Sequence, residues 1–208
     1  MFNVSAFFIF ITLMAFTPGP NNLMSMGNAS RFGFRKSFPF NLGILAGFSF
    51  VMLMCALASA ALSAFIPKIT LAMKIVGAAY MLWLAWQTFR AGDGHGAGDS
   101  GTATFGAGAF LQLVNPKIYV YGFTAMSSWI VPAVQSAGWG AAQAGAWSVP
   151  AMAVVAGLAI FLAFYGFIST VCWALFGAVI SKVFTGKMRA LNVILSLLLV
   201  YCAASLFF

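Results

Sequence analysis

Apolar residues fall in long runs, and each run is broken only briefly by polar positions. A spanning helix needs about 20 mostly apolar residues. The first run goes from Ser5 to about Met26, with Pro18, Gly19 and Pro20 near its end. The second covers about Phe38 to Ile66 and closes at Pro67, and the third covers about Ile69 to Phe89 and ends at Arg90. A polar stretch follows from Ala91 to Thr104, rich in Gly, Asp and Ser, as a flexible linker would be. The fourth run, about Phe105 to Val131, is again interrupted, at Asn115-Pro116-Lys117. From about Ala141 to Val183 the apolar stretch is too long for one span and short for two. It is read as an interfacial lead-in around Trp139 and Trp147, then a fifth span over about Pro150 to Ile180. The sixth starts at about Leu191. The pattern predicts an all-α polytopic membrane protein of six spans.

Basic residues set the predicted orientation, because they concentrate in cytoplasmic loops. Arg31, Arg35 and Lys36 follow the first span, Arg90 ends the third, and Lys182, Lys187 and Arg189 precede the sixth. With six spans these groups share one side. Both termini are then expected outside the cytoplasm. The layout is three spans (1–90), a cytoplasmic linker (91–104) and three spans (105–208). An odd number of spans per half inverts the second half, and the two halves carry matching Pro-Asn breaks. That is the pattern of a transporter built from inverted repeats.

Composition removes the other classes. Charged residues are 6% of the 208 positions and hydrophobic ones 63%, against about 25% charged in a soluble domain. A soluble enzyme and a nucleic-acid-binding domain are therefore excluded, and the net charge of +8 belongs to loops rather than to a basic stripe. No positive charge precedes Arg31, so the first run is expected to remain a span and not a cleaved signal. Cys55, Cys172 and Cys202 lie in separate apolar runs without a CxxC pair and read as small hydrophobes. Asp93, His95 and Asp99 share the Gly-rich linker, where nothing pre-organises them, so no metal site is expected. Trp83, Trp86, Trp129, Trp139 and Trp147 read as an interfacial aromatic belt.

The chemistry lies at the two breaks. Thr17-Pro18-Gly19-Pro20-Asn21-Asn22 cannot continue a regular helix, because proline lacks an N–H and clashes with the preceding turn. Carbonyls freed near Met14 to Phe16 must face protein or a wet cavity. Asn21 and Asn22 offer both donors and acceptors there. In the second break, Gln112 and Asn115-Pro116-Lys117 put a cation well inside a span. A lysine near a helix centre costs about 2.5–3.5 kcal/mol on insertion scales. No acidic residue exists in any predicted span to pair with it. A cavity-facing Lys117 that attracts a substrate carboxylate is the favoured reading; a lysine snorkelling to the cytoplasmic face is the alternative. Each break also creates a fresh helix N-terminus that favours an anion and a C-terminus that favours a cation. Together they fit a small zwitterion such as an amino acid.

Absent residues narrow the mechanism. No intramembrane carboxylate is available for a proton relay or sodium site, and the lone histidine sits in the linker. No P-loop is present, so ATP is not the direct energy source. No enzyme activity, cofactor or nucleic-acid partner is expected. Gly43-xxx-Gly47 permits close helix approach, within the chain or in a homodimer.

TPGPNN (17–22), Arg31-x-Gly33-x-Arg35 and the NPK at 115–117 together resemble the LysE/RhtB family of amino-acid exporters. The likeness runs over the whole chain and includes the segment Gly77 to Trp86. Within that family it leans toward the branch exporting cysteine and O-acetylserine, on Phe110 to Asn115, Val171 to Leu175, and Leu191 to Leu195 running to Val200–Ala203. The resemblance implies six spans in a bacterial inner membrane and gradient-driven efflux of small amino acids. It points to Pro18, Gly19, Pro20, Asn21, Asn115, Pro116 and Lys117 as functional. The expected function is a secondary exporter of small neutral amino acids or derivatives. The alternatives are export of threonine, homoserine, leucine or a metal cation, and a passive channel.

Overall fold

A computed structural model describes residues 3–58, 66–90, 103–139, 148–183 and 188–204. Nearly all of these are helical, and no strand occurs among them. Most of the linker, with Asp93, His95 and Asp99, lies outside the described residues, as do Trp147, Lys187 and the side chain of Trp139.

The first predicted span is two helices. Helix α1 (Val4–Phe16) starts at Asn3, whose side chain caps the Ala6 N–H at 3.0 Å. It stops at Thr17 because Pro18 follows. Helix α2 (Pro20–Phe32) restarts after the extended Gly19, with Pro20 in the first turn where its missing N–H is harmless. The two axes meet at 48°, and as one bent span they are long and apolar enough to cross a membrane. Gly33, with φ of 82°, then turns the chain within a single residue. That backbone conformation strains any residue with a Cβ. Helix α3 (Phe34–Ala58) begins at once.

Helix α4 (Ile66–Arg90) covers the third predicted span. The fourth is broken where expected, between α5 (Phe105–Val114) and α6 (Pro116–Thr124). It does not end near Val131. It continues through a π-helical stretch Ala125–Ile130, the short α7 (Val131–Val134) and a second π stretch Gln135–Trp139. Pro132 lies between the π stretches and supplies no N–H, so the hydrogen-bond register opens on either side of it. Helix α8 (Val149–Val183) has 35 residues and places the fifth span close to its predicted bounds. At 1.5 Å per residue it is roughly 50 Å long, well beyond a hydrocarbon core of about 30 Å. Helix α9 (Met188–Ala204) is the last.

Helices α3 and α8 each meet alone the length and hydropathy needed for a crossing. The interior gathers Ile11, Phe40, Ile44, Met52, Leu111, Met126 and Leu162, all fully buried. Outside, Ile9, Leu13, Leu57 and Leu197 are 60% or more exposed. A surface of that kind suits lipid and would cost a soluble protein its solubility. Trp83 and Trp86 are on this exterior, with the Arg90 guanidinium 4.5 Å from the Trp86 ring centre. Trp129 departs from the predicted belt. It packs inward, 6.0 Å from the ring of Phe7 and 6.5 Å from that of Phe10.

Glycines decide which helices touch. A Cβ on Gly43 would overlap the Phe105 carbonyl, and one on Gly108 would overlap the Phe40 carbonyl. A Cβ on Gly47 would stand 2.7 Å from the Ala109 carbonyl oxygen. The Gly43-xxx-Gly47 motif is thus used within the chain, to seat α3 on α5. Gly177 does the same for α8 against the α2 backbone at Met26.

Candidate functional site

The two breaks lie side by side. The Asn21 Nδ2 donates to Gln112 Oε1 at 2.8 Å, and Gln112 Nε2 returns a bond to Asn21 Oδ1 at 3.1 Å. Gln112 Nε2 also donates to the Gly108 carbonyl at 2.9 Å, and Asn115 Nδ2 donates to Asn21 Oδ1 at 3.0 Å. All three amides are buried, Gln112 completely. They act as a lock between the halves of the chain. Asn115 also caps α6, its Oδ1 accepting from the Lys117 N–H at 3.1 Å. An asparagine immediately before Pro116 is a strong helix-start signal.

The free C-terminal end of α1 is tied down by side chains. Asn22 Nδ2 donates to the Ala15 carbonyl at 2.8 Å and the Thr17 carbonyl at 3.0 Å. The Ser169 hydroxyl lies 2.9 Å from the Ala15 carbonyl and 3.3 Å from Asn22 Oδ1. Trp173 Nε1 donates to the Phe16 carbonyl at 3.3 Å. The carbonyls that the break releases therefore face protein donors.

Lys117 completes this set. Its Nζ donates to the Thr17 carbonyl at 3.0 Å and lies 2.9 Å from Thr17 Oγ1. It crosses from the second break to the first instead of turning to the surface. Gly19 makes room for it, since a Cβ there would stand 3.1 Å from Nζ and 3.2 Å from Cδ. Gly19 is also the N-cap of α2 and offers no side-chain acceptor to the first-turn N–H groups. An ammonium is thus held against the positive end of a helix dipole. Two like-signed groups side by side favour an anion that contacts both.

A narrow cleft opens at this point. Gly19, Pro20, Asn21, Asn22, Asn115 and Lys117 line it, together with Met14, Phe48, Tyr121, Gly166 and Thr170. Among the described residues, Lys117 is the one charged residue in its wall. Of the predicted site residues, Thr17 reaches the cleft through Lys117. Pro18 is exposed at the bend. Gln112 and Pro116 are buried behind the wall and hold its shape.

The sequence reading missed Phe48, Tyr121, Gly166, Ser169, Thr170 and Trp173, which come from α3, α6 and α8. The Ser169-Thr170 pair inside an otherwise apolar helix was a visible signal, and so was Tyr121 one helical turn after Lys117. None of the three cysteines is in a disulfide; Cys55 and Cys202 are buried and Cys172 is exposed. No group of three or more metal-ligating side chains exists among the described residues.

The LysE type translocator family matches residues 12–208. The cysteine/O-acetylserine efflux protein of Escherichia coli K12 is 36% identical over 205 residues, covering 99% of this chain and 97% of that protein. The protein of the same name from Shigella sonnei Ss046 has the same identity and coverage. No solved structure matches. A translocator family matched from the first break to the last residue, and relatives aligned end to end, place the chain in the LysE type translocator family.

Proposed function

We propose that the protein is a secondary transporter that exports small neutral amino acids or their derivatives from the cytoplasm, with cysteine and O-acetylserine as the leading substrates. One observation carries the reading: Lys117 Nζ lies beside the uncapped N-terminus of α2, in the wall of a cleft with no acidic wall residue among the described residues. A substrate α-carboxylate bound next to both neutralises the lysine and takes up free N–H groups of α2. With no carboxylate in the wall, a neutral zwitterion suits the cleft better than a dibasic amino acid or a metal cation. The relatives named for cysteine and O-acetylserine efflux support the substrate class.

The chain crosses the inner membrane six times as two inverted halves, with both termini outside the cytoplasm. Packing supports the pairing of halves. The first broken span leans on α8, the second span of the other half, and the α5–α6 span leans on α3, the second span of the first half. The contacts α3 with α8 and α4 with α9 are then each their own counterpart. The site residues are Thr17, Gly19, Pro20, Asn21, Asn22, Asn115 and Lys117 at the cleft, with Pro18, Gln112 and Pro116 shaping the breaks.

The test is efflux of labelled cysteine, O-acetylserine, threonine, leucine and lysine from loaded bacteria, with a gradient uncoupler as control. Selective, uncoupler-sensitive efflux of a small neutral amino acid is expected. Efflux of none of them, from protein demonstrated in the membrane, overturns the reading. Conduction far above carrier turnover turns it into a channel.

A further inference from the structure

Among the polar side chains that face the cleft, Tyr121 stands apart. Asn21, Asn22, Asn115 and Lys117 each have hydrogen-bond partners. The Thr170 hydroxyl donates to the Phe167 carbonyl at 2.8 Å. Tyr121 is 3% exposed, yet its hydroxyl is buried without a hydrogen-bond partner among the described residues. Its ring is fully used, stacked on Phe10 at 6.1 Å with 15° between planes and tilted against Phe48 at 5.7 Å. Phenylalanine would supply all of that packing. A buried tyrosine hydroxyl ordinarily finds a partner, and an unmet one is a cost that packing alone does not explain.

Lys117 and Tyr121 are four residues apart on α6 and therefore on one face, with Cβ atoms about 5–6 Å apart. Both line the cleft. A ligand whose carboxylate is held at Lys117 carries its β- and γ-atoms past Tyr121. Beside the Tyr121 ring, Phe48 fills the space that Gly166 leaves: a Cβ on Gly166 would overlap the Phe48 ring. The far wall is therefore aromatic and close.

We infer that the Tyr121 hydroxyl is a specificity-determining contact that reads the substrate side chain. It selects small amino acids bearing a hydrogen-bonding hydroxyl, thiol or ester oxygen over apolar ones of equal size. The inference rests on the amino-acid export reading above. A pocket built to meet a polar group discriminates strongly against an analogue lacking it, because its own polar group is then left unpaired.

The test is competition in membrane vesicles. Unlabelled cysteine is set against 2-aminobutyrate, and O-acetylserine against 2-amino-5-methylhexanoate, each competing with labelled O-acetylserine. The wild-type protein is expected to favour the polar member of each pair by about 10-fold or more. In Tyr121→Phe the preference is expected to fall to within about 3-fold of unity, with the protein level unchanged and the thermal midpoint equal or higher. Tyr119→Phe, on the same helix but with its hydroxyl on the Leu113 carbonyl, is expected to keep the preference. A Tyr121→Phe protein that slows both members of each pair equally, or changes nothing, overturns the assignment while leaving export standing. A wild type that transports both members alike also overturns it. A wild type that transports no amino acid removes the export reading and this inference with it.

Discussion

Lys117 and Asn21 do different work, although they lie in matching positions of the two breaks, each directly after a helix-opening proline. Lys117 supplies charge. Lys117→Ala is expected to cut efflux by about 10–100-fold, the equivalent of one lost charge-assisted hydrogen bond of roughly 1.5–3 kcal/mol. An immunoblot of membranes should show the protein at its normal level, because Thr17 remains solvated at the cleft. Asn21 supplies structure. Asn21→Ala leaves Gln112 and Asn115 buried with lost partners, at about 1–3 kcal/mol. In a protein of this size that is a fall of about 3–10 °C in Tm, readable by thermal melting in detergent. The proline and lysine chemistry of both breaks was legible in the sequence, because proline and an unpaired cation act locally. Which asparagines pair across the two breaks and which ties down the end of α1 was not legible, since that depends on the neighbouring helix.

Helix α5 contains its own control. Gly106 has open space where a Cβ would stand, whereas a Cβ on Gly108 would enter the α3 backbone at Phe40. Gly106→Ala is expected to be neutral or to stabilise by about 0.5–1 kcal/mol through helix propensity. Gly108→Ala, two residues away, is expected to remove the folded protein, since a backbone carbonyl cannot turn aside. Fluorescence-detected size exclusion of tagged variants separates these outcomes. Helices α4, α8 and α9 lie close to where the hydropathy runs predict them, and the prolines located the breaks. Hydropathy could not foresee that the helical path from Pro116 runs on to Trp139, because a π stretch accommodates Pro132 without an apolar signal. Nor could it foresee Ser169, Thr170 and Trp173, whose partners are on α1 and within α8 itself.

For the whole molecule, inverted halves require both chain ends on one side of the membrane and the linker on the other. Alkaline phosphatase fused at either terminus is expected to be active, and the same enzyme inserted between residues 91 and 104 is expected to be inactive; the opposite result at one terminus removes the six-span arrangement. The seam between α3 and α5 constrains how such a molecule moves. Gly43, Gly47 and Gly108 bring the two backbones together with no side chains between them. Side chains can change rotamer as surfaces slide, but touching backbones have nothing to rearrange. Such a seam is expected to keep α3 and α5 together as one beam while substrate crosses. Any rocking is then expected to hinge around the beam, at the breaks between α1 and α2 and between α5 and α6. Riveting α3 to α5 near the seam, by a cysteine pair oxidised after folding, is then expected to leave export running.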